Sequence, residues 1–240
     1  MDLAITISAV CIIFSAYLVR GIAGFGSGLI AVPLLSLFFP LTQVVPLVVF
    51  LDYIGSASQG LKNRERIAWR EQLPLIPFTL IGVGLGLFVL KVMTTLVLRK
   101  TLGVFVIAYA LYQWLPVPAL QGSRIFAVPL GFLGGFVGTL FGTGGPFYVI
   151  YLTLRGLDKT AFRATFATNF LIDGAFRLTA YASVGLFQPD VLMALLAALP
   201  IAGIGLYVGG RIHTGLSQEL FVRFISLLLV AGGFGLLMKS

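Results

Sequence analysis

Residues 21–35 read GIAGFGSGLIAVPLL, with glycines at 21, 24, 26 and 28 inside an otherwise apolar run. Glycine is the poorest ordinary helix former, costing roughly 1 kcal/mol per position relative to alanine. A second stretch, GTLFGTGGPFYVIYL at 138–152, has the same character. The chain has thus written two interruptions into its own apolar segments. The rest of the sequence decides what solvent surrounds them.

That solvent is lipid. Of 240 residues, 59% are hydrophobic and only 10% charged, with a mean hydropathy of +1.06. A soluble domain carries roughly 25% charged residues, so this chain cannot cover a water-facing surface. Apolar segments recur at 3–20, 25–39, 43–60, 72–91, 96–114, 124–141, 145–154, 161–184, 189–209 and 217–238. A helical span needs roughly 20 apolar residues, and no run alternates as a membrane barrel strand would. The fold class is therefore an all-α polytopic membrane protein with eight to ten transmembrane segments. The net charge of +8 does not point to nucleic acid, because most of the cations sit in short loops beside apolar segments. The lone Cys11 excludes an intrachain disulfide framework. Segment 3–18 follows Met-Asp without a basic flank and reads as a retained span.

The second five segments echo the first five. Gly24-Phe25-Gly26 aligns with Gly142-Thr143-Gly144, Pro77 and its Gly82 and Gly86 with Pro200, Gly205 and Gly209, and Lys100 with Arg223. Three matches in order argue for duplication, with residues 1–118 and 119–240 as the two repeats of one membrane domain. With ten segments and the N-terminus outside, eleven basic residues fall inside, from Arg20 and the 62–70 loop to Arg211 and Arg223. Four fall outside: Lys91, Arg99, Lys100 and Lys239. An eight-span count hardly separates the sides, so the positive-inside rule favours ten. An odd number of segments per repeat makes the halves inverted.

Two readings of the glycines compete. Small residues four apart let membrane helices approach closely, which suits Gly82/Gly86 and Gly205/Gly209. The denser Gly26-Ser27-Gly28 and Gly144-Gly145-Pro146 suit discontinuous helices, tolerated only where backbone is buried or faces a polar cavity. A helix starting there offers unpaired amides to an anion. Pro146 fits a first helical turn, and Ser27 and Thr143 add hydroxyls. Segments 25–39 and 145–154 are short and are either full crossings or re-entrant halves.

The stretches RGIAGFGSGLIAVPLL and GGFVGTLFGTGGPFYVIYL, with the basic loop KNRERIAWR after the third segment, resemble the sulfite exporter TauE/SafE family, also called the toluene sulfonate uptake permease family. The resemblance implies an inner-membrane carrier of sulfur-containing anions of the sulfite, sulfonate or sulfoacetate class. It implies no enzyme activity and no cofactor. The partners expected are a small anionic substrate and membrane lipid, with a coupling proton or sodium ion and a homodimer left open. Transport would alternate exposure of one site, one repeat moving against the other. Export of an anion along the membrane potential needs no coupling ion, whereas uptake does.

The expected binding residues are Phe25, Gly26, Ser27 and Gly28 in the first break, and Thr143, Gly144 and Gly145 in the second. Asn169 and Arg177 join them from the eighth segment. Ionisable groups at membrane depth default to functional hypotheses, so Asp52 and Asp173 are a coupling or structural ion-pair set. Asp173 and Arg177 are four apart and share a helix face. Arg20 reads as a headgroup anchor or an anion guide, and Tyr17 and Tyr148 as core or interface aromatics. A passive anion channel remains an alternative. An intramembrane serine hydrolase built on Ser27 would need a base, and the single histidine, His213, falls in a loop.

Overall fold

The computed structural model describes residues 3–60, 65–114, 122–212 and 218–239, with backbone alone at 58–60, 218–222 and 224. Lys62, Arg64 and His213 lie outside the described residues. The first half comprises α1 (Leu3–Ala23), α2 (Ser27–Leu35), α3 (Leu41–Gly60), α4 (Trp69–Gln72), α5 (Leu75–Val92) and α6 (Thr95–Tyr112). The second comprises α7 (Ala127–Phe141), α8 (Gly145–Leu154), α9 (Lys159–Ser183), α10 (Pro189–Arg211) and α11 (Gln218–Met238). Among the described residues, five helical stretches are long and apolar enough to cross a membrane, at Leu3–Ala23, Trp69–Val92, Thr95–Tyr112, Arg124–Phe141 and Pro189–Arg211. Their outer faces carry exposed apolar residues such as Ile81, Phe88, Met193 and Leu196, while Arg20, Asp52, Asp173 and Arg177 are buried. Apolar side chains outside and polar ones inside are what a lipid solvent selects.

The closest packing runs between the halves. α5 lies along α7, α1 along α10, α6 along α11 and α3 along α9. Glycines set the first two approaches, as the small-residue reading of Gly82/Gly86 and Gly205/Gly209 expects. A Cβ at Gly86 would stand 2.9 Å from the Phe136 carbonyl oxygen, and one at Gly205 2.7 Å from that of Phe14. Gly82 and Gly209 press still closer, on the carbonyls of Phe132 and Leu18. In both pairs the residue numbers rise together, so the helices run parallel. By contrast, α6 and α11 run antiparallel, Gly103 meeting Leu237 and Ile107 meeting Gly233. α3 and α9 are antiparallel too, with Tyr53 on Gly174 and Phe50 against Phe187 just past α9.

Gly209→Leu should therefore force α1 and α10 apart, because the obstructing atom is backbone and cannot rotate away. Overpacking of this kind costs about 1–3 kcal/mol or more. The expected result is a lowered unfolding temperature in detergent and less monodisperse protein on size exclusion. Gly84→Leu, where nothing lies within 4 Å of the added Cβ, should behave as the unsubstituted chain.

Short polar contacts fix the helix ends. Asp158 caps α9, its Oδ1 accepting from the amides of Thr160 at 2.8 Å and Ala161 at 3.0 Å. The Ala161 and Thr160 amides hold this carboxyl below its usual range. Glu71 of α4 accepts from Arg124 at 2.8 Å and Arg155 at 2.7 Å, so α4 is tied to the start of the second half and to the residue that closes α8. Trp69 and Trp114 are exposed, consistent with interfacial anchors.

Candidate functional site

Both glycine stretches interrupt helices. Gly24 and Gly26 have φ of 86° and 100°, and Gly142, closing α7, has φ of 65°. An L side chain rarely adopts this left-handed region, so the chain turns there because glycine permits it. Gly26 and Gly144 precede α2 and α8, and neither start has a side-chain cap. The first amides of both helices thus lack intrahelical acceptors. Pro146 occupies the first turn of α8. The two breaks touch: a Cβ at Gly28 would sit 2.5 Å from the Gly142 carbonyl oxygen. With nine and ten residues, α2 and α8 span only about 13–15 Å. That is half of an apolar layer about 30 Å thick.

Arg20 stands beside the first break, and it is not a headgroup anchor. It is 4% exposed and pairs with Asp52 of α3, Nη1 to Oδ1 at 2.5 Å. Its guanidinium also donates to Ser27 Oγ at 3.1 Å, to the Asp52 carbonyl at 3.0 Å and to Ser56 Oγ at 2.7 Å. Asp52 Oδ1 in turn accepts from Ser27 Oγ and from the Tyr17 hydroxyl, each at 2.7 Å. Sequence reasoning left Arg20 and Tyr17 with bland roles and did not single out Ser56. One signal was available. Asp52 has no cation three or four residues away on its own helix, whereas Asp173 has Arg177, so Asp52 needed a partner from elsewhere.

The second half repeats the chemistry with the charges rearranged. Arg177 bonds to Asp173 one turn away, and its Nη1 donates to the Gly138 carbonyl at 3.0 Å. The offset that carries Gly24 to Gly142 carries Arg20 to Gly138, and that from Asp52 to Asp173 carries Ser56 to Arg177. The carboxylates thus keep equivalent places while the arginine changes helix. Tyr181 donates to the Thr139 carbonyl at 2.7 Å, adding to the buried polar shell. A small gap lined by Val49, Asp52, Tyr53, Phe170, Gly174 and Arg177 separates the two clusters.

A much larger cavity of about 1400 Å³ opens onto the first cluster. Phe25, Gly26, Ser27, Gly28, Thr143 and Gly145 line it, with Arg20, Asp52 and Ser56 behind them and Lys159 and Arg163 beside α9's start. The remaining expected residues do not line it. Gly144 packs on the Gly134 carbonyl. Asn169 Oδ1 accepts from Gln72 Nε2 at 2.8 Å, an interhelical bond. Asp173 and Arg177 are closed off with each other, each at most 2% exposed. Among the described residues, three that line the cavity carry a buried polar atom without a hydrogen-bond partner: Thr143 Oγ1, on a residue 3% exposed, Arg20 Nε and Gln113 Nε2. A buried polar atom left unpaired against a polar cavity is suited to a ligand. Ser27 Oγ is engaged by Arg20 and Asp52, and the histidine that a hydrolase would require lies outside the described residues.

Comparison with known proteins agrees with this architecture. The chain matches the family described as Sulfite exporter TauE/SafE over residues 9–236. It is similar to a "Probable membrane transporter protein ORF9" of Sinorhizobium sp, 29% identical over 234 residues, covering 90% of this chain and 85% of the relative. It is also similar to the "Probable inner membrane transporter protein TsaS" of Comamonas testosteroni, 25% identical over 199 residues, covering 79% and 81%. No solved structure matches. Membrane-length helices and this relationship make it a multi-pass protein of the inner membrane. The chain belongs to the sulfite exporter TauE/SafE family of membrane transporters.

Proposed function

We propose that the chain carries small sulfur-containing oxyanions, of the sulfite, sulfonate or sulfoacetate class, across the inner membrane. The observation that carries this reading is the set of unpartnered groups, Arg20 Nε, Gln113 Nε2 and Thr143 Oγ1, on residues lining a cavity floored by two helix breaks. A guanidinium, a hydroxyl and uncapped helix amides are donors only or donors at will, and together they suit an oxyanion. The antiparallel runs of α3 with α9 and α6 with α11 support two inverted halves. In the ten-segment topology the cavity mouth, with Lys159 and Arg163, faces the cytoplasm.

The packing favours a particular form of alternating access. Since α1 is locked to α10 and α5 to α7 by glycine contacts, the moving bodies are these cross-half pairs rather than the two sequence halves. The test is counterflow in proteoliposomes with sulfite, thiosulfate, sulfoacetate and aromatic sulfonates. At least one of these is expected to show saturable, trans-stimulated exchange. Uptake of none, or currents far above carrier turnover with no trans-stimulation, would overturn the carrier reading, the latter in favour of a channel.

A further inference from the structure

The cavity wall carries a group that an anion site would not be expected to tolerate: a carboxylate. Asp52 lines the cavity, is ion-paired to Arg20 at 2.5 Å, and stands at the start of α2, its Oδ2 3.6 Å from a Cβ added at Gly28. It therefore sits on the same guanidinium, the same serine hydroxyl and the same helix start that would receive the substrate. Two anions on one guanidinium in a poorly solvated cavity repel each other strongly.

We infer that Asp52 is the proton site of the transporter: its carboxylate holds Arg20 before the anion arrives, and takes a proton as the anion takes Arg20 over. This rests on the reading of the cavity as an anion site. The exchange balances. A proton from the water of the open cavity bonds to an Asp52 carboxylate oxygen, the Arg20–Asp52 ion pair gives way to an Arg20–anion pair, and a monoanion leaves the net charge unchanged. The proton is thus a second, coupled ligand. Driven by a proton gradient, it would let the carrier accumulate an anion against the membrane potential.

The surroundings of Asp52 leave it the group best placed for this role. From α1, Tyr17 donates to it and Arg20 is its counter-ion. From α2 only the Ser27 hydroxyl reaches it, and neither α2 nor α7 contains a titratable side chain. Tyr53 on its own helix and Arg177 of α9 border the small gap beside it, and Arg177 is held by Asp173. Tyr109 of α6 and Tyr207 of α10 line the same large cavity. The second carboxylate–arginine pair lies off that cavity, so only one of the two can exchange its partner for an anion in this arrangement.

The test uses the full chain in lipid nanodiscs and methanesulfonate, a strong-acid anion that stays fully ionised across about pH 5–8, the range in which water-facing proton switches operate. Binding is measured calorimetrically in two buffers of different ionisation enthalpy, which counts protons. The expected result is uptake of close to one proton per anion, with affinity falling towards tenfold per pH unit as pH rises. Asp52→Asn should bind with an affinity independent of pH and without proton uptake. Saturable binding by the unsubstituted chain with no proton uptake overturns the inference and leaves the anion site standing. Undiminished proton uptake in Asp52→Asn also overturns it. Absence of saturable binding of methanesulfonate, sulfite and sulfoacetate at every pH overturns the anion-site reading itself. Because the unsubstituted protein alone gives the proton count, a folding defect in the variant leaves the test intact.

Discussion

Arg20→Leu is expected to abolish transport and to destabilise the protein together. The guanidinium makes four donor contacts within a few ångströms, to Asp52, Ser27 and Ser56. Its removal leaves Asp52 buried with hydroxyl partners and no cation. Breaking a buried pair from one side costs about 3–5 kcal/mol, enough to lower the unfolding midpoint in detergent by many degrees. Arg20→Leu combined with Asp52→Leu removes both charges, and replacing a buried pair by apolar residues is often nearly neutral. The double variant should therefore recover most of the stability but none of the transport. Recovery of transport along with stability would reduce Arg20 to a structural role. Arg20→Lys should fall between, keeping the charge but losing the planar fork that serves Asp52, Ser27 and Ser56 at once.

Gly28→Val is the second large effect, and it acts on geometry rather than charge. The Gly142 carbonyl lies 2.5 Å from the position of an added Cβ, and Asp52 Oδ2 lies 3.6 Å away. The nearer atom is backbone in the opposite break, so the two breaks must separate. A displacement of about 1 Å at a binding centre can cost 100-fold in rate. Transport should drop by about that factor, while the protein still inserts, since α1·α10 and α5·α7 do not involve Gly28. Measured initial rates of counterflow with protein quantified by fluorescence-detected size exclusion separate the two. Near-normal rates in well-folded Gly28→Val would show that contact of the breaks is dispensable.

The fold class was legible because lipid leaves a one-dimensional trace: apolar length, charge scarcity and loop cations. The breaks were legible for a similar reason, since Gly26, Gly142 and Pro146 act on their own backbone. Arg20 was not. A basic residue at the end of an apolar segment looks like a loop anchor, and its burial comes from α1 continuing through Gly21–Ala23 and from an aspartate on another helix. Gly144 lies in the second break and Asn169 one turn before Asp173 on α9, yet they face Gly134 and Gln72. Local spacing assigns such residues to a helix face, whereas only the packing of α9 and α8 decides what that face meets. The same limit applies to packing between the repeats. Duplication suggested two sequence halves, but the glycine contacts join helices across them.

That cross-half packing also sets a timetable for biogenesis. α1 is made long before α10, so the helix its Gly21 fits against does not exist until Gly209 has been made. At about 5–20 residues per second the ribosome needs roughly 10–40 s to get there. Throughout that interval the face of α1 that carries Gly21 is without its α10 partner. The Arg20–Asp52 pair needs nothing beyond α3, so its two charges can neutralise each other while the rest of the chain is still being synthesised. The ion pair that borders the cavity in the finished protein therefore also lowers the cost of holding α1 and α3 in a bilayer before the later helices arrive.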